Sequence, residues 1–398
     1  MKVNFKYIRS NIMVSLLLAI IYISFISLGL PDPLLGSGWP VMQLELGVPL
    51  SYAGIVSMII AIGTIISSLS SDFLTRKLNT GLLTAISVAT TAIALFGFSL
   101  SHSFIAICLW AIPYGLGAGA VDAALNNYVA LHYSSRHMNW LHAFWGVGVS
   151  ISPYIMSFCL INKLGWNMGY RSVSTLQLVL TVILFLSLPL WKKRAKSENG
   201  NEEASATLKD ALKIKGVVFC LIAFFSYCAF ECTAGLWASS YMAGARGVDA
   251  ETAARFAAMF YLGVTGGRFL SGIVADKIGD RRMIQIGGII MLIGVVMIIL
   301  PLKTNTIALA GLIVAGLGDA PIYPCIIHST PTNFGKENSQ ALVGIQMASA
   351  YLGTTLMPPL FGIIAENISL SLYPFYLAVL AVLMLFMTQL MNKIVDKK

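Results

Sequence analysis

Residues 272–282 read GIVADKIGDRR and stand at the end of an apolar run that covers residues 250–277. A related stretch, SLSSDFLTRK at residues 68–77, closes an earlier apolar run at residues 49–75. In both stretches a small residue stands four positions before an aspartate, and basic residues follow soon after it. The recurrence indicates that the chain is built from two related halves.

The composition excludes a soluble protein. The 398 residues are 57% hydrophobic and only 11% charged, with a mean hydropathy of +0.80. Soluble domains are about a quarter charged, and 43 ionisable residues cannot cover the surface of a soluble chain of this length. Because such a chain belongs in a bilayer, nucleic-acid binding is a poor explanation of the net charge of +9. We expect no nucleic-acid partner, and we expect membrane lipid to surround the protein.

Twelve apolar runs approach or exceed the length of about 20 residues that crosses a bilayer as a helix. They lie near residues 11–43, 49–75, 79–100, 103–132, 137–162, 168–191, 214–244, 250–277, 281–301, 304–332, 337–365 and 369–392. Alternating segments of about ten residues, which a membrane β-barrel needs, are absent. The sequence predicts an all-α membrane protein of twelve transmembrane helices, with six-helix bundles at residues 1–191 and 214–398 and a cytoplasmic linker at 192–213.

The basic residues predict the orientation. With both termini on one side, 20 of the 26 Lys and Arg residues fall on that side and five on the other. Because cytoplasmic loops carry the excess of Lys and Arg, both termini are predicted to be cytoplasmic. We expect a multi-pass protein of a bacterial cytoplasmic membrane that acts as a monomer.

The pattern at residues 272–282 resembles the loop motif of the major facilitator superfamily, and twelve spans in two halves fit that family over the whole chain. The resemblance implies that spans 1, 4, 7 and 10 line a central cavity and that the two halves rock around a midplane site. We predict that the motif residues and their neighbours dock helices or close a gate rather than bind substrate. These residues are Asp72, Arg76, Arg268, Asp276, Arg281 and Arg282.

Four acidic residues lie near the middle of spans 1, 4, 7 and 10. They are Asp32, Asp122, Glu231 and Asp319. A charged side chain at the bilayer centre costs at least ~2.5 kcal/mol, so intramembrane acids favour a functional interpretation. A carboxylate without a basic neighbour on its own helix takes up a proton readily in a dehydrated site, which is what proton coupling requires. The alternative is a protonated acid that hydrogen-bonds to a neighbouring helix.

The sequence around Asp32 and Asp122 indicates which family within the superfamily the chain resembles. Residues 29–40 read GLPDPLLGSGWP, in which prolines and glycines predict an interrupted helix. Residues 115–130 read GLGAGAVDAALNNYVA and residues 139–148 read NWLHAFWGVG. These stretches resemble the fucose–proton symporter family and its sodium-dependent glucose transporter relatives.

The resemblance implies a role for three residues. Asp122 matches the proton-coupling acid of the family, which is glutamate in the fucose symporter, and Asp32 matches a second essential acid, so both are predicted to be proton-coupling residues. Asn126 matches a polar residue that faces the sugar, and Asn127 stands where the fucose symporter has proline.

A sugar site combines hydrogen-bonding groups for the hydroxyls with aromatic rings for the apolar faces. The substrate-binding candidates are Asn126, Asn127, His142, Trp145, Glu231, Asp319, Tyr323 and Gln346, with Tyr227, Trp237 and His328 as further candidates. Each of these side chains also fits an alternative interpretation as a packing residue or an interhelical hydrogen bond.

The leading hypothesis is proton-coupled import of a monosaccharide or a similar small polyol. The alternatives are sodium-coupled sugar symport and proton-driven antiport of drugs or metabolites, for which 17 methionines would build an adaptable apolar cavity. The sequence lacks enzyme motifs, so we predict no enzymatic activity. We expect no cofactor and no metal: six dispersed cysteines predict packing roles, and the proton gradient, or sodium, supplies the energy.

Overall fold

A computed structural model of the chain describes residues 2–49, 52–195, 208–248, 250–300 and 305–396. Within these ranges the elements are helices, and none is a β-strand. The prediction of an all-α chain is confirmed. Most of the predicted linker, residues 196–207, lies outside the described residues.

Seven helices precede the linker. They are α1 (Lys2–Gly29), α2 (Leu34–Leu46), α3 (Ala53–Leu69), α4 (Ser71–Leu100), α5 (Phe104–His132), α6 (Ser135–Ile161) and α7 (Gly165–Ala195). The short α8 (Leu208–Lys213) lies at the end of the predicted linker, and seven helices follow it: α9 (Val217–Gly244), α10 (Ala250–Ile278), α11 (Asp280–Ile299), α12 (Thr306–Asp319), α13 (Ile322–Phe334), α14 (Lys336–Asn367) and α15 (Tyr373–Val395). A 3-10 turn at Leu370–Leu372 leads into α15.

The described helices match the predicted spans in order. Within the described part of the chain, ten helical segments are long and apolar enough to cross a membrane. Helix α3 is a shorter apolar helix of 17 residues, and α10, with 29 residues, covers the predicted span at 250–277. Large apolar side chains such as Leu186 and Ile105 are more than two-thirds exposed, as lipid-facing residues should be.

Two of the predicted spans are broken at an acidic residue. The first stops at Gly29 and resumes at Leu34, so Asp32 lies in the gap, as the flanking prolines predicted. The other stops at Asp319 and resumes at Ile322, on either side of a proline. Proline has no N–H to donate and disrupts the helix it enters, which explains why both breaks occur at proline.

The chain divides into two compact units. The first contains residues 1–128 and 141–204, and in it α4 packs along α7. The second contains residues 129–140 and 205–398, and in it α9 packs against α10, α14 and α15. The predicted bundle boundaries at 191 and 214 stay a prediction.

Two glycines bring α1 and α6 into backbone contact inside the first unit. A Cβ atom at Gly148 would overlap the carbonyl oxygen of Ile26, and a Cβ atom at Gly29 would overlap the carbonyl oxygen of Trp145. A small residue at each position therefore lets the two helices approach closely. This contact lies directly before the break in the first span and positions Asp32 next to α6.

Candidate substrate and proton sites

Asp32 receives hydrogen bonds from two aromatic side chains. The indole N–H of Trp145 on α6 donates to Asp32 Oδ2 over 3.1 Å, and the Tyr114 hydroxyl on α5 donates to Oδ1 over a longer 3.4 Å. Both donors are neutral, so they orient the carboxyl group without supplying a counter-charge. Asp32 keeps accessible surface although it lies within a span and deep in the helix bundle, which leaves room beside it for a small polar solute.

Asp122 begins a chain of hydrogen bonds that runs from α5 to α6. The amide nitrogen of Asn126, one turn further along α5, donates to Asp122 Oδ1 over 2.8 Å. The amide oxygen of Asn126 lies 3.0 Å from His142 Nε2. Because the Asn126 nitrogen faces Asp122, its oxygen must accept from His142, which places a hydrogen on Nε2. The ring of His142 meets Phe25 of α1 edge-on, with 5.6 Å between the ring centroids.

Helical spacing explains why these residues converge. Tyr114, Asp122 and Asn126 follow one another at multiples of four residues and so share one face of α5. His142 and Trp145 are three residues apart on α6 and share a face in the same way. The first unit thus brings together five sequence-predicted residues, namely Asp32, Asp122, Asn126, His142 and Trp145. Sequence reasoning missed Tyr114, although it stands eight residues before Asp122 and so lies on the same face of α5.

Further predicted residues are buried in the interior. Asn127, the neighbour of Asn126, is 5% exposed. The Gln346 amide bonds with Thr330 Oγ1 and donates to Cys220 Sγ over 3.1 Å, and its side chain is buried. Its hydrogen-bonding groups therefore join α9, α13 and α14, which favours the packing interpretation for Gln346.

Three aromatic and imidazole candidates also bond within the protein. Trp237 donates to the carbonyl of Pro358 over 3.0 Å, and Tyr323 donates to the Met347 sulfur over the same distance. His328 contacts Asp280 Oδ2 at 2.6 Å through Nδ1. These contacts also favour packing roles.

A second cluster of polar residues occupies the second unit. Arg268 on α10 donates to Glu231 Oε1 on α9 over 3.0 Å. The Tyr227 hydroxyl lies 2.8 Å from Glu231 Oε2 and 3.0 Å from Asp319 Oδ2. Arg268 had been grouped with the loop motif, but the structure places it against Glu231. Its partner lies on a neighbouring helix, so spacing along the sequence could not reveal it.

The motif residues form surface contacts at helix ends. Arg76 pairs with Asp72 one turn away on α4, at 2.8 Å. Asp276 accepts the backbone N–H of Arg136 over 2.9 Å and the Ser134 hydroxyl over 3.0 Å. A carboxylate at the N-terminus of a helix, here α6, stabilises that terminus.

The remaining motif residues are basic. Arg281 pairs with Asp396 and donates to Asn333 Oδ1 over 3.2 Å, while Arg282 is exposed. Among the described residues, no group of three His, Cys, Asp or Glu side chains is arranged to hold a metal ion.

The fold and the site define a class of protein. A bundle of membrane-crossing helices, broken at acidic residues that are held by neutral donors, is the architecture of a multi-pass membrane transporter. The model of the Major Facilitator Superfamily matches residues 12–219 and 219–392, so the chain belongs to that family. The family consists of transporters, which confirms the prediction that the chain is not an enzyme.

Relatives and solved structures extend this result. A Helicobacter pylori protein named "Putative glucose/galactose transporter" is 24% identical over 294 residues, which cover 69% of this chain and 68% of the relative. The glucose/mannose transporter GlcP of Bacillus subtilis is 25% identical over 285 residues, with 68% of each chain covered.

The crystal structure of FucP, a Major Facilitator Superfamily transporter in the outward conformation, superposes with a TM-score of 0.74 at 14% identity. The alignment covers 94% of this chain and 98% of FucP. A second structure, of the E. coli fucose:proton symporter FucP, superposes with a TM-score of 0.71. The similarity confirms the major facilitator fold of twelve helices in two halves.

Proposed function

We propose that the protein is a secondary active transporter that imports a monosaccharide or a related small polyol together with protons. It works by alternating access in a bacterial cytoplasmic membrane, with both termini cytoplasmic. The relatives named as glucose, galactose and mannose transporters support the sugar class, and the fold shared with a fucose:proton symporter supports proton coupling.

The observation that carries the sugar assignment is the contact of Asp32 with Trp145 and Tyr114. A carboxylate accepts hydrogen bonds from sugar hydroxyls, and aromatic rings pack against the apolar faces of a pyranose. In the first unit an exposed carboxylate and two aromatic side chains meet within hydrogen-bonding distance of one another. This combination suits a hydroxylated ligand. A carboxylate beside aromatic rings also attracts cations, so the choice of sugar over a lipophilic cation rests on the relatives named as sugar transporters.

The proton assignment rests on Asp122. Its hydrogen bond to Asn126 is strongest when the carboxyl group is charged, because charge-assisted hydrogen bonds are the stronger ones. Binding a proton weakens this bond and loosens the chain from Asn126 to His142. Protonation at Asp122 thereby changes the position of Asn126, the residue expected to face the sugar, which couples proton binding to sugar binding.

The test is uptake of radiolabelled hexoses and polyols by proteoliposomes that contain the purified protein. We expect accumulation under an inward proton gradient, collapse of accumulation on adding a protonophore, and no change when choline replaces sodium at constant pH. A requirement for sodium would support sodium-coupled sugar symport instead. Extrusion of lipophilic cations in exchange for protons, without sugar uptake, would support the antiporter alternative.

A further inference from the structure

The cluster in the second unit contains more acid than its basic residue can balance. Asp319 is fully buried, and the side chains of Arg268 and Glu231 are 5% and 16% exposed. Arg268 carries one positive charge, and two ionised carboxylates would leave one negative charge uncompensated in the interior. The free energy needed to bury an unpaired carboxylate is far greater than the free energy needed to protonate it. One of the two buried carboxyl groups is therefore neutral.

The hydrogen bonds require the same conclusion. The Tyr227 hydroxyl has one hydrogen, yet it lies within bonding distance of Glu231 Oε2 and of Asp319 Oδ2. If both acids were ionised, one of these contacts would join two acceptors. Asp319 Oδ1 is buried and has no hydrogen-bond partner, which is tolerable for the carbonyl oxygen of a neutral acid and costly for a carboxylate.

Among the described residues, the surroundings of Asp319 contain no other charge that resolves the imbalance. The titratable groups that act on it electrostatically are Tyr227, Cys228, Glu231 and Cys232 on α9 and Tyr261 and Arg268 on α10. Phenols and thiols are neutral near pH 7, so Glu231 and Arg268 are the charged members.

We propose that Glu231, Tyr227, Asp319 and Arg268 form a second proton-binding site, separate from Asp122, at which the two acids share one proton through Tyr227. In one state Asp319 Oδ2–H donates to the Tyr227 oxygen, Tyr227 O–H donates to Glu231, and Glu231 is the counter-ion of Arg268. Transfer moves the Asp319 proton to the Tyr227 oxygen while the Tyr227 proton moves to Glu231 Oε2. Asp319 is then the carboxylate, and Tyr227 has regained its hydrogen.

This site differs in kind from the sugar site predicted for these two acids. Asp319 has no exposed surface to offer a sugar hydroxyl, and Glu231 is engaged by Arg268. The proposal does not depend on what the protein transports, because it concerns protonation of the protein itself.

The experiment is infrared spectroscopy of the purified full-length protein in lipid, without any transport substrate. The C=O stretch of a protonated carboxyl group stands apart from the carboxylate and amide bands and shifts in heavy water. We expect the wild-type minus Asp319→Asn difference spectrum to show one protonated-carboxyl band. The matched control is Asp210→Asn, a change at an exposed acid on α8 that pairs with Lys213, and it should leave this region unchanged.

The decisive variant is Glu231→Gln. If the two acids share one proton, removing the Glu231 carboxylate leaves Asp319 as the counter-ion of Arg268. Asp319 is then ionised, and the protonated-carboxyl band disappears. If Asp319 is a solitary structural acid, the band persists in Glu231→Gln, and the proposal is overturned. Absence of the band from the wild type, or its persistence in Asp319→Asn, would overturn it as well.

A third variant tests the link through Tyr227 while leaving both acids in place. Tyr227→Phe removes the oxygen that accepts from Asp319, so the band should move to higher frequency and keep its intensity. An unchanged band position in Tyr227→Phe would contradict the link through Tyr227. Thermal unfolding of each variant establishes that its spectrum comes from folded protein.

Discussion

Trp145 donates its indole N–H to Oδ2 of Asp32 over 3.1 Å, although 113 residues separate the two in sequence. The indole is the closer of the two donors to the carboxyl group, and Tyr114 contributes a weaker contact at 3.4 Å. The orientation of the exposed acid therefore depends mainly on one side chain of α6.

Replacing this donor tests its importance for transport. A hydrogen bond to a charged group contributes about 1.5–3 kcal/mol, so Trp145→Phe should lower kcat/KM for sugar uptake by about tenfold or more. Initial uptake rates in proteoliposomes measure the effect. The control is Trp110→Phe, a change at a partly exposed tryptophan on α5, which should leave uptake near the wild-type rate. Equal losses in both variants would show that the Asp32 contact has no special role.

Asp122→Asn tests the proposed role of Asp122 in proton coupling. The asparagine keeps an oxygen that accepts from Asn126 but cannot bind a proton at physiological pH. We expect sugar exchange across the membrane to continue and gradient-driven accumulation to fall to an internal-to-external ratio of about one. Asp122→Glu, which retains an ionisable group, should preserve accumulation. Accumulation by Asp122→Asn at the wild-type level would rule out Asp122 as the coupling acid.

Gly148→Ala tests the backbone contact between α1 and α6. The added Cβ overlaps the carbonyl oxygen of Ile26, and backbone cannot move aside as easily as a side chain. Overpacking of this kind costs about 1–3 kcal/mol, which thermal unfolding should report as a lower Tm. Gly36→Ala is the matched control, since a Cβ there meets nothing within 4 Å. A Tm for Gly148→Ala at or above that of the control would contradict the close contact.

Asp276→Ala tests the contact at the start of α6. The ion pair with Arg136, at 3.3 Å, is partly exposed, so we expect a stability change of only about 0–1 kcal/mol. The backbone N–H of Arg136 loses its acceptor, however, and its hydrogen–deuterium exchange should become faster. Mass spectrometry of peptides covering residues 134–137 measures this change. Asp72→Ala, which removes the partner of Arg76 within α4, should leave exchange at Arg136 as in the wild type.

Patterns along the chain predicted much of the fold. The break at Asp32 followed from the prolines beside it, and the spans followed from apolar runs of sufficient length. Local patterns also identified acids at mid-span, because charge inside a bilayer is costly enough to be rare.

Contacts between helices were harder to predict. Arg268 was assigned to the loop motif because it stands a few residues before it, whereas its partner Glu231 is 37 residues away on another helix. The sequence predicts that Gln346 binds a sugar, whereas in the structure its amide bonds with Thr330 on α13. The sequence does not reveal which face of α14 packs against α13. Asn79, with φ of 60° and ψ of 160°, bends α4 at the first residue of the predicted span 79–100; the sequence predicted a boundary here but not this backbone conformation.

The backbone contact of Gly29 and Gly148 has a consequence for how such a protein diversifies. Because main-chain atoms set the approach of α1 to α6, the backbone that leads into Asp32 lies next to α6 whichever side chains surround the acid. Substitutions at neighbouring positions thus alter the shape and polarity of the site while the acid stays in place. A lineage that keeps both glycines is able to change the residues around Asp32 without moving the acid away from α6.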